Sequence, residues 1–161
     1  MTKNYLFPSK FQKLGWILLI PFGLLFLYFC FTTSGSRIEL RVPIFAIIED
    51  NNFLENSKIW FSLTNNDIMD EITSIGLIIS LLLIAFSKES DEDEYISQIR
   101  ANSLVWALLI NFSILIFCEL FIYGMFFFEI LCGNLFLILI LFVLKFKINV
   151  YKLRKSMKNE E

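Results

Sequence analysis

Residues 135–144 read LFLILILFVL, ten consecutive apolar residues near the C-terminal end of a 161-residue chain. They form the centre of an apolar segment over residues 130–146, and three similar segments occupy residues 14–31, 68–86 and 104–123. A helix rises 1.5 Å per residue, so a segment of about 17–20 residues can cross a hydrocarbon layer of roughly 30 Å. The sequence therefore predicts four transmembrane helices.

The composition also indicates a membrane protein. Hydrophobic residues make up 57% of the chain, which contains 19 phenylalanines, whereas soluble domains average about 45–50% apolar residues. Backbone groups in lipid must be hydrogen-bonded inside the protein, and a helix achieves this within one segment. We expect an all-α integral membrane bundle of four helices that forms a single membrane domain over residues 1–161.

The distribution of positive charge predicts the orientation. Eleven of the fourteen Lys and Arg residues lie in the N-terminal tail, in the inner loop at 87–103, or from Lys145 onward. Four spans place these three stretches on one side of the membrane, and that side is cytoplasmic because positive loops resist translocation. We therefore predict cytoplasmic N and C termini, an outer loop at 32–67 and a basic cytoplasmic tail at 147–161.

The outer loop contains a strand-like pattern. Charged and apolar residues alternate over residues 37–42, and Pro43 then begins the apolar run 44–48, which predicts a short strand or hairpin. Clusters of Asn and Asp at 49–52 and 64–67 predict turns, the second with a cap for the next helix. Such a loop serves either as an extracytoplasmic sensor or docking cap, or as a plain lid, and the plain lid is favoured.

The inner loop begins with an acidic run. Ser90 is the expected N-cap of a helix that starts near Asp91, because carboxylates are favoured at the positive end of a helix dipole. The basic tail is expected to contact anionic lipid rather than nucleic acid, since it continues directly from a span. The residues of a candidate cytoplasmic interaction face follow the acidic run: Glu94, Tyr95, Ile99 and Arg100.

Carboxylates near the outer ends of the spans form a second candidate site. Glu119 lies about 22 Å along its helix from the inner end, close to the outer surface. The sequence predicts that four acidic side chains lie at this outer depth and form a cluster: Asp70, Glu71, Glu119 and Glu129. Three interpretations are weighed in descending order: hydration at the interface, pairing with Arg37 and Arg41, and a cation-binding ring.

Small and polar residues inside the spans predict helix packing rather than chemistry. Interhelical contacts in membranes favour small side chains and side-chain hydrogen bonds, and the candidates are Asn111, Ser113, Gly76, Ser80 and Asn134. The three cysteines, Cys30, Cys118 and Cys132, are expected to pack as small apolar residues. A disulfide between two of them stays open as an alternative, since all three are predicted near the outer ends of spans.

The sequence has no signature of catalysis. It contains no His, which removes zinc motifs of the HExxH type and His-dependent nucleophiles, and it has no nucleotide-binding loop. We predict a non-enzymatic protein without a cofactor that binds a partner, anchors it or senses a signal. The alternative is a small ion channel or transporter that uses the acidic outer vestibule, and an intramembrane enzyme ranks last. Expected partners are the lipid bilayer, a protein at the cytoplasmic face and a second copy of the chain, but not nucleic acid.

Several stretches resemble a known group of proteins. Residues 75–89, 93–97 and 100–107, together with 11–16 near the start, resemble small uncharacterised four-span membrane proteins of Bacteroidota. The outer loop departs most from that group. The resemblance implies the inner membrane of a bacterium, and it brings no activity or ligand.

Overall fold

The computed structural model describes residues 6–32, 38–50, 58–89 and 93–159. The chain is mostly helical, with four helices and a small two-stranded antiparallel sheet. The elements follow in the order α1 (Ser9–Phe31), β1 (Arg41–Asp50), β2 (Lys58–Asp67), α2 (Met69–Ala85), α3 (Glu94–Phe121) and α4 (Met125–Asn159). Cα packing separates two compact units, one of Met1–Pro21 with Leu77–Glu161 and one of Phe22–Gly76.

Each of the four apolar segments contains a helix, as predicted, but the helices differ in length. Among the described residues, α1, α3 and α4 are long and apolar enough to cross a membrane. Helix α2 has 17 residues and measures about 25 Å at 1.5 Å per residue. Helix α2 is therefore shorter than the hydrocarbon layer of roughly 30 Å, and its length alone does not show that it crosses a membrane.

Helix α3 begins later than the sequence predicts. Its cap is Asp93, whose carboxylate accepts a hydrogen bond from the Ile96 amide at 2.8 Å. The backbone of Asp93 is extended, which suits the last residue before a helix. The predicted start near Asp91 is therefore wrong by three residues, and the predicted cap Ser90 lies outside the described residues. Helix α4 extends beyond the predicted span 130–146 at both ends and continues unbroken through the basic tail to Asn159.

The outer loop forms the predicted hairpin. Strands β1 and β2 pair from Arg41 opposite Asp67 to Asp50 opposite Lys58. The predicted turn at 64–67 is wrong, because these residues hydrogen-bond to β1 instead of reversing the chain. Asp67 nevertheless caps α2: its Oδ1 accepts hydrogen bonds from the Met69 amide at 3.1 Å and the Leu40 amide at 2.8 Å. The turn predicted at 49–52 is wrong at Glu49 and Asp50, which pair with β2, while residues 51–52 and residue 37 lie outside the described residues.

The first unit packs most tightly where α2 ends, α3 begins and α4 passes its midpoint. The core there consists of buried side chains from these three helices: Ile84, Ala85, Ile96, Ala107, Phe142, Val143, Phe146 and Val150. From Phe112 to Leu135, a stretch that the structure describes in full, no residue is buried. Gly124 turns the chain there with a φ of +84°, a left-handed conformation that glycine adopts without strain.

Within the same unit, the first half of α1 is in close contact with the second half of α2. The Phe7 amide donates to the Phe86 carbonyl, and the Lys88 amide donates to the Phe7 carbonyl, both at 2.8 Å. Two turns into α1, a Cβ added to Gly15 would lie 2.8 Å from Ile84 Cγ1 and 3.0 Å from the Ser80 carbonyl oxygen. The start of α1 and the end of α2 therefore lie at the same end of this unit.

Candidate functional site

A buried carboxylate links three elements of the first unit. Glu89 follows α2 and is only 6% exposed. One carboxylate oxygen accepts from Gln12 Nε2 of α1 at 2.8 Å and from Lys147 Nζ of α4 at 2.5 Å. The other accepts a hydrogen bond from Arg154 Nη2, two turns further along the same face of α4, at 3.1 Å. We call these four residues the Glu89 network, and it fixes α4 against α1 and the link after α2.

The network keeps Glu89 ionised. Burial alone would raise the pKa of this carboxyl, because a charge is less well solvated in the protein. Hydrogen bonds from Lys147 and Gln12, and the positive charges of Lys147 and Arg154, more than offset burial, so the pKa lies below the ordinary glutamate value. A buried charge held by two cations and an amide stabilises one arrangement of the helices and makes any other costly.

A second buried charge caps α2. Arg100 on α3 is 8% exposed, and its Nη1 donates to the carbonyls of Ser87 at 3.1 Å and Ala85 at 3.4 Å. Its guanidinium also lies 4.7 Å from the centre of the Phe146 ring. The last carbonyls of a helix lack intrahelical donors and carry partial negative charge, so Arg100 supplies both a donor and a cation.

An open groove of about 480 Å³ lies between α3 and α4. Its lining mixes amides, hydroxyls, aliphatic side chains and one lysine: Tyr95, Ile99, Asn102, Asn149, Lys152, Leu153 and Ser156. Asn149 Nδ2 contacts Ser103 Oγ at 3.4 Å across the two helices. One turn closer to the α3–α4 turn, Lys145 Nζ lies 4.7 Å from the centre of the Trp106 ring. We call residues 94–107 and 142–159 the polar end of the α3–α4 pair.

The predicted interaction face is only partly on the surface. Glu94 and Tyr95 are exposed, and Ile99 is half-buried between the groove and the core. Arg100 lies inside, where it caps α2, so its placement on a surface face was wrong. The physical reason is the demand of the α2 carbonyls for a donor, which a sequence pattern within α3 does not show.

The four predicted outer carboxylates, Asp70, Glu71, Glu119 and Glu129, are all exposed. Asp70 and Glu71 lie in the first turn of α2, where a helix dipole favours negative charge. Within the described ranges, no group of three or more His, Cys, Asp or Glu residues is placed to hold a metal ion. The acidic vestibule, and the channel that it would feed, stay predictions from the sequence.

Two of the small residues predicted to pack do lie at close contacts. A Cβ on Gly76 would come within 2.5 Å of the Phe22 ring, so this position admits only glycine without a shift. Ser80 is fully buried and donates to the Leu77 carbonyl at 2.8 Å. Its hydroxyl is thus satisfied inside its own helix while its backbone faces Gly15.

The remaining packing candidates differ in their surroundings. Asn111 is 2% exposed, and its Oδ1 has no hydrogen-bond partner, whereas Ser113 is exposed and donates to the Leu109 carbonyl at 2.8 Å. Asn134 is half-buried. Free thiols are found at all three cysteines, Cys30, Cys118 and Cys132.

Sequence reasoning missed the Glu89 network. Its members are separated by 58 to 77 residues from Glu89, so no local pattern joins them. One signal was present: Lys147 and Arg154 are seven residues apart and therefore share a helix face, while Glu89 directly follows an apolar span. An acidic residue after one span and two basic residues after another predict an ion pair only if the two spans end at the same depth in the membrane. The sequence does not give that depth.

Comparison with known proteins adds no relative: no family model, curated protein or solved structure matches the chain. The functional argument therefore depends on the residues of the chain itself. The strongest features are the Glu89 network, the arginine cap and the groove, and all three lie at or beside the polar end.

Proposed function

We propose that the chain is a multi-pass integral membrane protein in which all four helices cross the bilayer. The observation that carries this proposal is the pairing of Phe7 with Phe86 and Lys88. Phe7 precedes α1, and Phe86 follows α2. If α1 crosses the membrane, α2 must cross back, because its end returns to the residue before α1. The same argument applies to α3 and α4, whose polar ends meet at Asn149 and Ser103.

We place the polar end on the cytoplasmic side of a bacterial inner membrane, with both termini on that side. Four crossings bring eleven of the fourteen Lys and Arg residues to one face, and such charges are retained in the cytoplasm.

The role we propose is non-enzymatic: the polar end anchors a protein partner at the membrane. The Glu89 network holds the extension of α4 rigidly through Arg154, so the surface beyond the bilayer is preformed. That surface presents Tyr95, 55% exposed, which lines the same groove as Lys152 of α4. Exposed aromatic residues are enriched at binding surfaces.

Site-specific photo-crosslinking in living cells tests this role. A photoreactive phenylalanine analogue at Tyr95 should give one dominant crosslinked protein. The control places the same analogue at Tyr123, an equally aromatic and even more exposed position in the α3–α4 turn, where the same adduct should be missing. Equal adducts from both positions, or none from Tyr95, would contradict a partner site at the polar end.

A further inference from the structure

The groove between α3 and α4 is built from residues that recur on one face of each helix. They include Ile99 and Asn102 on α3, and Asn149 and Lys152 on α4. Spacings of three and four residues place side chains in one row along a helix. Trp106 and Lys145 continue these rows toward the α3–α4 turn, where the Lys145 ammonium lies over the Trp106 ring.

The chemistry of the groove fits a phosphate. Lys152 in the wall supplies a positive charge, Lys145 lies one turn before Asn149 on the same face of α4, and the described residues that line the groove include no acid. Asn102 and Asn149 add amide donors, and each amide has two N–H groups. The volume of about 480 Å³ falls within the roughly 300–1,000 Å³ typical of small-molecule sites.

The depth of the groove favours a lipid as the source of that phosphate. Trp and Lys are typical of the membrane interface, so the Lys145–Trp106 contact marks that level in the proposed topology. Asn102 and Asn149 lie four residues beyond it, about 6 Å along their helices, and a headgroup layer extends about 5–8 Å from the hydrocarbon. On the other side of Trp106, Leu109 continues the same face of α3 and is 65% exposed, which leaves room for an acyl chain.

We propose that this groove binds the phosphate headgroup of an anionic phospholipid from the cytoplasmic leaflet. The proposal depends on the proposed membrane placement of the polar end, and it adds a ligand there. Lys152 pairs with the phosphate, the two asparagines donate hydrogen bonds, and the acyl chains follow the apolar side of α3.

Native mass spectrometry of the full chain, released from nanodiscs that contain phosphatidylcholine with phosphatidylglycerol, tests the site. Wild-type protein should retain one phosphatidylglycerol after stepwise delipidation. The variants Lys152→Gln and Asn102→Leu should each lower that retention by about five-fold, as expected if a side chain contributes about 1 kcal/mol. Lys158→Gln removes the same charge from the last turn of α4 and should retain the lipid.

Three results would overturn the proposal. Equal losses in Lys152→Gln and Lys158→Gln would show unspecific attraction to a basic helix. Displacement of the lipid by millimolar inorganic phosphate or glycerol 3-phosphate would assign the groove to a soluble phosphate. Competition by an acidic peptide, but not by anionic lipid, would assign it to a protein segment. Crosslinking from Tyr95 is a separate readout, so a wild-type chain that retains no phosphatidylglycerol but still gives the Tyr95 adduct rejects this site and leaves the partner proposal standing.

Discussion

Both ends of the α3–α4 pair contain several phenylalanines, but these side chains are packed differently at the two ends. At the polar end, Phe142 and Phe146 are completely or almost completely buried. At the other end, which we call the open end, no residue from 112 to 135 is buried. Lipid tails are as apolar as leucine side chains, so phenylalanines in a bilayer need no protein around them, whereas charges near the bilayer need partners. Protein packing is therefore concentrated where Glu89 and Arg100 must be held.

The same residue types occur in the packed region and at the open end, so the difference in packing can be tested with pairs of equivalent substitutions. Each pair below changes the same residue type once in the packed region and once at the open end. Stability is measured as the free energy of unfolding in mixed micelles, where lipid-like molecules cover the open end as a bilayer would.

The largest effect is expected from the phenylalanines. Phe146→Ala should lower the free energy of unfolding by about 3–5 kcal/mol, because it leaves a cavity in a closed core and removes the ring beside Arg100. Phe126→Ala at the open end should change it by less than about 0.5 kcal/mol, since Phe126 is 61% exposed. Equal losses would show that the open end is packed by something other than detergent or lipid.

The glutamates come next. Glu89→Gln keeps the shape but leaves Lys147 and Arg154 without their counter-charge, and we expect a loss of about 2–3 kcal/mol. This is below the usual cost of breaking a buried pair because both cations reach solvent and are partly screened. Glu129→Gln, at an exposed position, should be neutral. A neutral Glu89→Gln would mean that the network does not hold the helices.

Two glycine substitutions should have smaller effects on the free energy of unfolding, with opposite signs. Gly15→Ala places a Cβ against Ile84 and the Ser80 carbonyl, so overpacking should destabilise the protein by about 1–3 kcal/mol. Gly133→Ala meets nothing within 4 Å and should stabilise helix α4 by up to about 1 kcal/mol. Unfolding curves of the two variants side by side measure the difference, and a stabilising Gly15→Ala would refute the close contact of α1 with α2.

The pH dependence should be the smallest effect. The pKa of Glu89 is lowered in the folded chain, so its contribution is fully present above the ordinary glutamate pKa. It is lost as the pH falls through the folded pKa, and the decline begins at about pH 4–5. The loss should be no larger than that of Glu89→Gln at neutral pH, and that variant should lack this part of the acid slope. An unchanged slope in the variant would assign it to other carboxylates.

Much of the fold follows from local patterns in the sequence. Runs such as residues 135–144 predict helices because lipid-facing backbone must bond within its own segment, and alternation near Arg41 predicts a strand. The turn expected at Thr64–Asp67 was wrong because pairing with β1 supplies the hydrogen bonds that an isolated Asn-rich stretch would seek in a turn. The cap of α3 is Asp93, three residues later in the chain than the expected cap, because a run of acidic residues offers several similar candidates.

The candidate site was less predictable. Tyr95 follows from its place at an amphipathic helix start. Arg100 has the same sequence signal but lies inside, because the carbonyls that it caps belong to another helix. Glu89 contacts residues of α1 and α4 that are 58 to 77 residues away in the sequence. Such long-range contacts depend on how the helices pack and cannot be predicted from local spacing.

The central claim is that the polar end and the hairpin lie on opposite sides of the membrane, because α2 crosses it. Side-selective thiol labelling in intact cells tests this most directly, in a background with Cys30, Cys118 and Cys132 replaced by Ser. A membrane-impermeant maleimide should label Asn65→Cys in the hairpin at once and Ser97→Cys at the start of α3 only after the cells are permeabilised. Labelling of both positions in intact cells, or of neither, would contradict the account.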